Sequence, residues 1–284
     1  MGFVPALIFG ISANETTIGT VRLGVAAMGI GLILLATKQL RKVSKQALKW
    51  LIILGVTFAV HWYMYFWSIK RAGASLAAIA VCTFGIHLLF VNRIFLKEPI
   101  GRSDLLAVLI AFGGVCIATP TESASLVQTY GFIVGIFSGF LYACLPAINR
   151  QISHLSTNMR ALGQFGFGFL IFTLIWPMTD WQLSSSDWSG LIMLSVVCTL
   201  GAHTLWNKAS TELPGPFAAV INYLYIPWAM VISAIWLEEQ ITWQMMTGAA
   251  LIIAANIIVV LFHRKPKEAA SYEPSSDVQS DNLR

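Results

Sequence analysis

The sequence predicts an all-α integral membrane protein of about ten transmembrane helices, built as two inverted five-helix repeats. Three observations carry this. Hydrophobic residues make up 57% of the 284 and charged residues only 11%, less than half the roughly 25% charged share of an ordinary soluble domain. Apolar runs of near-membrane length follow one another with short polar breaks. The two halves also match each other at a nearly constant offset.

A soluble chain this apolar could not cover its surface with polar groups, whereas lipid lets apolar side chains face outward. The formal net charge of +5 does not indicate nucleic-acid binding, because the basic residues form short clusters between apolar runs, as in loops that orient membrane helices. Cys82, Cys116, Cys144 and Cys198 each lie inside an apolar run without metal-like spacing, so they read as small packed thiols. No metal and no cofactor are expected.

The runs predict helices near 2–14, 18–36, 50–69, 74–95, 105–119, 130–148, 159–177, 188–206, 214–237 and 243–262. Most approach the ~20 residues that cross ~30 Å of hydrocarbon. Residues 263–284, with Pro266, Glu273, Pro274 and Asp277, read as a solvated cytoplasmic tail. With the N-terminus placed inside, the inner loops hold Lys38, Arg41, Lys42, Lys45, Lys49, Arg93, Lys97, Arg102, Arg150, Arg160 and Lys208, joined by Arg264, Lys265 and Lys267. The outer loops hold only Lys70 and Arg71. This bias predicts both termini cytoplasmic and an even number of crossings.

An offset of 141 maps Leu96-Lys97-Glu98 onto Leu237-Glu238-Glu239, Ala77-Ala78-Ile79 onto Ala218-Ala219-Val220, and the small residues from Ala107 to Gly114 onto Gly248 to Ala255. Arg22 matches Arg160 at an offset of 138. The repeats are read as residues 1–119 and 130–262. Five helices per repeat is odd, so the second copy must enter the membrane upside down. Such inverted repeats suit alternating access, in which the two halves exchange roles.

The run Ser68-Ile69-Lys70-Arg71-Ala72-Gly73-Ala74-Ser75-Leu76-Ala77-Ala78, then Leu96-Lys97-Glu98 and Gly113-Gly114, resembles an EamA domain. The second half repeats it with Trp206-Asn207-Lys208-Ala209, Ala218-Ala219, Pro227, Leu237-Glu238-Glu239 and Gly248. The resemblance is to the drug/metabolite transporter superfamily. It implies a ten-helix secondary carrier, often an exporter of amino acids, nucleobases or other metabolites, with the third, fourth, eighth and ninth helices lining a central cavity. Two departures stand out. Gly2-Phe3-Val4 aligns with Gly139-Phe140-Leu141, so the first helix lacks a counterpart of residues 131–138, and the true start is expected upstream of Met1. Ile86 stands where the second repeat has Pro227, which removes the expected cause of a kink in the fourth helix.

A carrier needs polar and aromatic groups near the midplane, each with a partner or water. The candidates for substrate binding are His61, Trp62, Tyr65, Thr83, His203, Trp206, Asn207, Asn222 and Tyr225. Phe66, His87 and Tyr223 lie among them. Trp and Tyr also mark membrane interfaces, and either histidine could simply be packed against a neighbouring helix. With no Asp or Glu at mid-helix, His61 or His203 is the place for a proton-coupled step. Arg22 and Arg160 read as helix-end residues that snorkel or brace. Glu98 and Glu239 read as surface or gate-bracing charges, and Pro146 and Pro227 as kinks.

A membrane enzyme finds no support: neither H-E-x-x-H nor G-x-S-x-G occurs, and the loops are too short for a soluble catalytic domain. No ring of like charges suggests a channel. A non-transporting scaffold or sensor is the alternative. The expected partners are a small-molecule substrate and the lipid bilayer, with a homodimer compatible with the sequence and no nucleic acid.

Overall fold

A computed structural model describes residues 2–97, 99–119, 125–212 and 224–262, and every element in them is helical. The helices are α1 (Val4–Gly10), α2 (Glu15–Ala36), α3 (Lys45–Ala72), α4 (Ala74–Val81), α5 (Phe84–Leu96), α6 (Arg102–Ala118), α7 (Leu126–Arg150), α8 (Thr157–Leu174), α9 (Ser185–Met193), α10 (Thr204–Glu212), α11 (Tyr225–Trp236) and α12 (Trp243–Phe262). A short 3₁₀ turn, Trp176–Met178, follows α8, and Leu194–His203 joins α9 to α10 with a wider winding. Six stretches among the described residues are long and apolar enough to cross a membrane: Glu15–Ala36, Lys45–Ala72, Ala74–Phe95, Leu126–Arg150, Ser185–Lys208 and Trp243–Phe262. Helix α11 is apolar but shorter. Residues 213–223, within the expected ninth helix, together with Glu98 and residues 263–284, lie outside the described residues.

Several elements differ from the sequence expectation for identifiable reasons. Helix α1 has seven residues rather than the thirteen of 2–14; Pro5 opens it, and the chain turns extended at Ile11. Helix α2 begins three residues early, because Asn14 Oδ1 accepts from Thr17 N–H at 2.9 Å and caps it. Residues 15–17, polar and expected as loop, join the helix, where Thr20 Oγ1 donates to Thr16 O.

The expected fourth helix is broken at Cys82-Thr83, between α4 and α5. A proline is not the cause. Thr83 Oγ1 donates to Ala80 O at 2.7 Å, supplying the hydrogen bond that a regular helix would take from its backbone. Pro227 lies in the first turn of α11, where no backbone N–H is required. Pro146 is inside α7.

The repeat is visible in the element boundaries. At the offset of 141, Phe84 opening α5 matches Tyr225 opening α11, and Arg102 opening α6 matches Trp243 opening α12. Lys97 and Glu238, equivalent residues just past their helices, both take left-handed backbone with φ of 56° and 53°. Equivalent helices run antiparallel: Ser103 near the start of α6 bonds Phe262 O at the end of α12.

Small residues set the packing distances. Gly131, Gly135 and Gly139 recur every four residues along α7, and there the helix meets Ala72, Ser68 and Ala80, and the Val81 carbonyl. A Cβ on Gly139 would lie 2.8 Å from Val81 O, so this glycine lets α7 close on the broken segment. Helices α6 and α12 cross at Gly114 and Gly248, where a Cβ on Gly248 would meet Gly114 O at 2.6 Å. Close backbone approach of this kind drives helix association in lipid, where apolar contact alone cannot.

Two outcomes follow from this packing. Gly114→Ala places its methyl 2.9 Å from Gly248 O, while a Cβ on Gly113 meets nothing within 4 Å. Thermal unfolding in detergent should show Gly114→Ala destabilised by about 1–3 kcal/mol and Gly113→Ala unchanged or slightly more stable. Thr83→Val, which keeps the shape and removes the hydroxyl, should cost about 1 kcal/mol in the same assay.

Candidate functional site

The candidate site lies where the broken fourth span meets α2, α3, α7, α10 and α11. A cavity of about 570 Å³ opens there. From α3 it takes His61, Trp62, Tyr65 and Phe66; their spacing of one, three and four residues puts them along one stripe of the helix. The break contributes Val81, Cys82 and Phe84, and α7 contributes Tyr142. His203 and Trp206 come from the far end of the wide winding and from α10. Tyr225, Trp228 and Ile232 come from α11, with Leu224 just before it, and Gly2, Phe3 and Val4 complete the wall.

Six of the nine sequence candidates, His61, Trp62, Tyr65, His203, Trp206 and Tyr225, therefore meet around one cavity. Thr83 is buried, but its hydroxyl is committed to Ala80 O and to His87 at 3.3 Å; it holds the helix break and is not part of the wall. Asn207 follows Trp206 on α10 and is likewise not among the lining residues. Asn222 lies outside the described residues.

His61 is fixed to α7 by a reciprocal pair. Its Nδ1 lies 2.9 Å from Ser138 O and 2.8 Å from Ser138 Oγ, while Ser138 Oγ donates to His61 O at 3.0 Å. Nδ1 donating to the carbonyl is the arrangement that satisfies both residues, which leaves Nε2 as an acceptor. His203 packs on Phe58 at 5.3 Å between ring centres, and its Nε2 faces the Gln164 amide at 3.4 Å. The Tyr65 and Tyr225 hydroxyls bond each other and tie α3 to α11 across the two repeats. Trp206 donates to the Tyr142 hydroxyl.

Arg22 is the largest departure from the sequence reading. It was expected at a helix end, facing headgroups. Because α2 starts at Glu15, Arg22 sits seven residues inside the helix, about 10 Å from its start at 1.5 Å per residue. It is only 3% exposed and lines the cavity. Its guanidinium lies 4.1 Å from the centre of the Trp62 ring and 5.2 Å from that of Phe66, and Nε donates to Thr199 Oγ1 at 3.0 Å. Thr199 stands in the wide winding, where its own hydroxyl donates to Leu194 O five residues back. Tyr142 and Trp228 were also missed. Their flanks are apolar, and the only available signal was the register of their helices against α4.

One end of the bundle is closed by polar links. Ser12 N and Oγ donate to the Asp187 carboxylate at 2.7 and 2.6 Å. Ser75 N and Oγ donate to Glu239 Oε2 at 3.2 and 2.7 Å, so a carboxylate following α11 caps the start of α4. Gly73, with φ of 96°, makes the turn beneath Glu239, where a Cβ would lie 2.6 Å from Oε1. Arg71 pairs with Glu15, and Lys70 donates to Ile11 O. The first two links join the repeats to each other.

The EamA-like transporter family profile matches residues 3–119 and 129–261. The biotin transporter of Salmonella typhimurium is 25% identical over 121 residues, 42% of this chain and 39% of that protein; the one of Escherichia coli K12 matches to the same extent. The chain thus aligns with about two-fifths of those relatives' length. The pseudopaline exporter CntI of Pseudomonas aeruginosa UCBPP-PA14 is 25% identical over 239 residues, 83% of this chain and 81% of the exporter. A solved crystal structure superposes with a TM-score of 0.65 at 12% identity, covering 92% of this chain and 93% of the other, which extends the likeness to the fold. Both halves of the chain carry the profile, so the chain belongs to the EamA-like transporter family and is a multi-pass membrane protein.

Proposed function

We propose that the chain is a secondary carrier that exports a small metabolite, such as an amino acid or a nucleobase, by alternating access of two inverted five-helix halves. The observation that carries this is the cavity itself. Its walls come from α2 and α3 of the first half and from α7, α10 and α11 of the second, so movement of one half against the other changes its opening. In this reading the chain crosses the membrane ten times, residues 1–119 and 130–262 are the two halves, and both termini face the cytoplasm. Export draws support from the pseudopaline exporter, whose alignment is the longest of the relatives described.

The polar links at one end fit the role of a gate. Asp187 and Glu239 of the second half each hold serine donors of the first, Ser12 and Ser75. Such bonds must break when that end opens. A carboxylate holding two donors supplies a barrier of a few kcal/mol, enough to close a path without locking it. His61 and His203 are the groups placed to couple a proton to the cycle.

Reconstitution in proteoliposomes tests the reading. A carrier shows saturable counterflow of its substrate; a scaffold or sensor passes nothing. Trp206→Ala and Asn222→Leu should each lower saturable flux tenfold or more while insertion stays normal, and unchanged kinetics in both would remove them from the binding site. Glu239→Gln should weaken the closed end. The expected result is a several-fold faster reaction of Cys82 with a membrane-impermeant maleimide added from that side; an unaltered rate would argue against the gate.

A further inference from the structure

We infer that Arg22 is the anchor for a carboxylate on the transported molecule. The inference rests on the carrier reading above and narrows its substrate class to small carboxylate-bearing solutes with a flat or apolar body.

The argument begins with charge. Arg22 is buried in a membrane-spanning helix and forms part of the cavity wall. No Asp or Glu is among the lining residues. The carboxylates whose bonds are described are engaged elsewhere: Glu15 with Arg71, Asp187 with Ser12, Glu239 with Ser75. Residues 213–223, the undescribed segment preceding α11, contain no Asp or Glu at all. Among the described residues the cavity therefore holds a fixed cation without a carboxylate in its wall, an arrangement that is costly in a low-dielectric setting unless a ligand supplies the anion.

The geometry leaves the guanidinium one nitrogen without a partner among the described residues, enclosed by the wall, so a ligand engages it by displacing the side chains that cover it. Trp62 and Phe66 lie against the guanidinium, and Nε is used by Thr199. Nη1 is buried and has no hydrogen-bond partner among the described residues. The planar fork of arginine fits the two oxygens of a carboxylate. A single arginine balances one negative charge, which favours a carboxylate over a doubly charged phosphate. The rest of the wall, with Tyr65, Tyr142, Trp206 and Tyr225, suits a flat or apolar body with a few polar atoms.

The test uses the full chain in lipid nanodiscs and two matched probe pairs: indole-3-propionate with indole-3-propionamide, and 3-phenylpropionate with 3-phenylpropionamide. Binding is read by tryptophan fluorescence and by ligand-induced shift of the unfolding temperature. The acids should bind at least tenfold more tightly than the amides. Arg22→Gln should abolish that preference, and Arg22→Lys, which keeps charge but loses the fork, should retain part of it. Ligand-free Arg22→Met should unfold at the same temperature as the parent or higher, because the unmatched charge is gone. Equal or absent responses to acid and amide in both pairs would overturn the proposal. So would acid preference surviving in Arg22→Gln, or a large loss of stability in Arg22→Met, which would assign Arg22 to packing alone. Flux in proteoliposomes separates this from the carrier reading. Arg22-dependent acid binding without flux removes transport and keeps the site. Saturable flux of a neutral or cationic solute, undiminished in Arg22→Gln, keeps transport and removes the site.

Discussion

In hydrocarbon nothing pushes two apolar helix faces together, because lipid tails are as apolar as leucine; close backbone approach has to do that work. This chain meets the constraint with glycine. The four-residue recurrence of Gly131, Gly135 and Gly139 lets α7 lie against α3 and α4. Gly55 meets the Gly168 backbone where α3 crosses α8, and Gly114 meets Gly248 where α6 crosses α12. The larger side chains of the same helices are then left free to point outward, as the exposed Phe112 and Leu109 of α6 do, or to surround the cavity.

The same constraint governs the polar groups. Among the described residues several hydroxyls within the bundle are spent on a nearby carbonyl: Thr20 on Thr16, Ser195 on Leu191, Thr199 on Leu194. His61 and Ser138 satisfy each other across a helix interface. Arg22 Nη1 is one of the buried atoms without a partner among the described residues, with Ser68 Oγ, Ser233 Oγ and Arg160 Nε, and it belongs to a residue of the cavity wall. Helix irregularities are concentrated there as well. The fourth span is interrupted beside the cavity, and the span from Ser185 is widened from Leu194 to His203 just before it. Both irregularities put backbone and side chains where a regular helix would place neither.

Much of the fold was legible in the sequence because lipid imposes a simple rule on composition and length. The final helix, Trp243–Phe262, was read to the residue, and the offset of 141 reappears in the starts of α5 and α11 and of α6 and α12. What escaped the reading depended on local hydrogen bonding. The Asn14 cap moved the start of α2 outward, and with it Arg22 from the interface to the interior. Thr83 broke a helix that lacks a proline. At the site, the α3 stripe was legible because its four residues share one face. Tyr142 and Trp228 were not, because the register between helices leaves no trace along either strand of sequence.

The wide winding of residues 194–203 has a further consequence. Its counterpart in the first repeat, 53–62, lies within the regularly wound α3. Two halves that differ there cannot trade places as equivalent images, so the inward-facing and outward-facing forms of an alternating cycle would differ in free energy even with nothing bound. The protein would then rest mostly on one side of the membrane, and that preference would set how long an empty carrier waits between loads. It would leave the direction of net movement to the solute gradient, since a bias in resting occupancy performs no work.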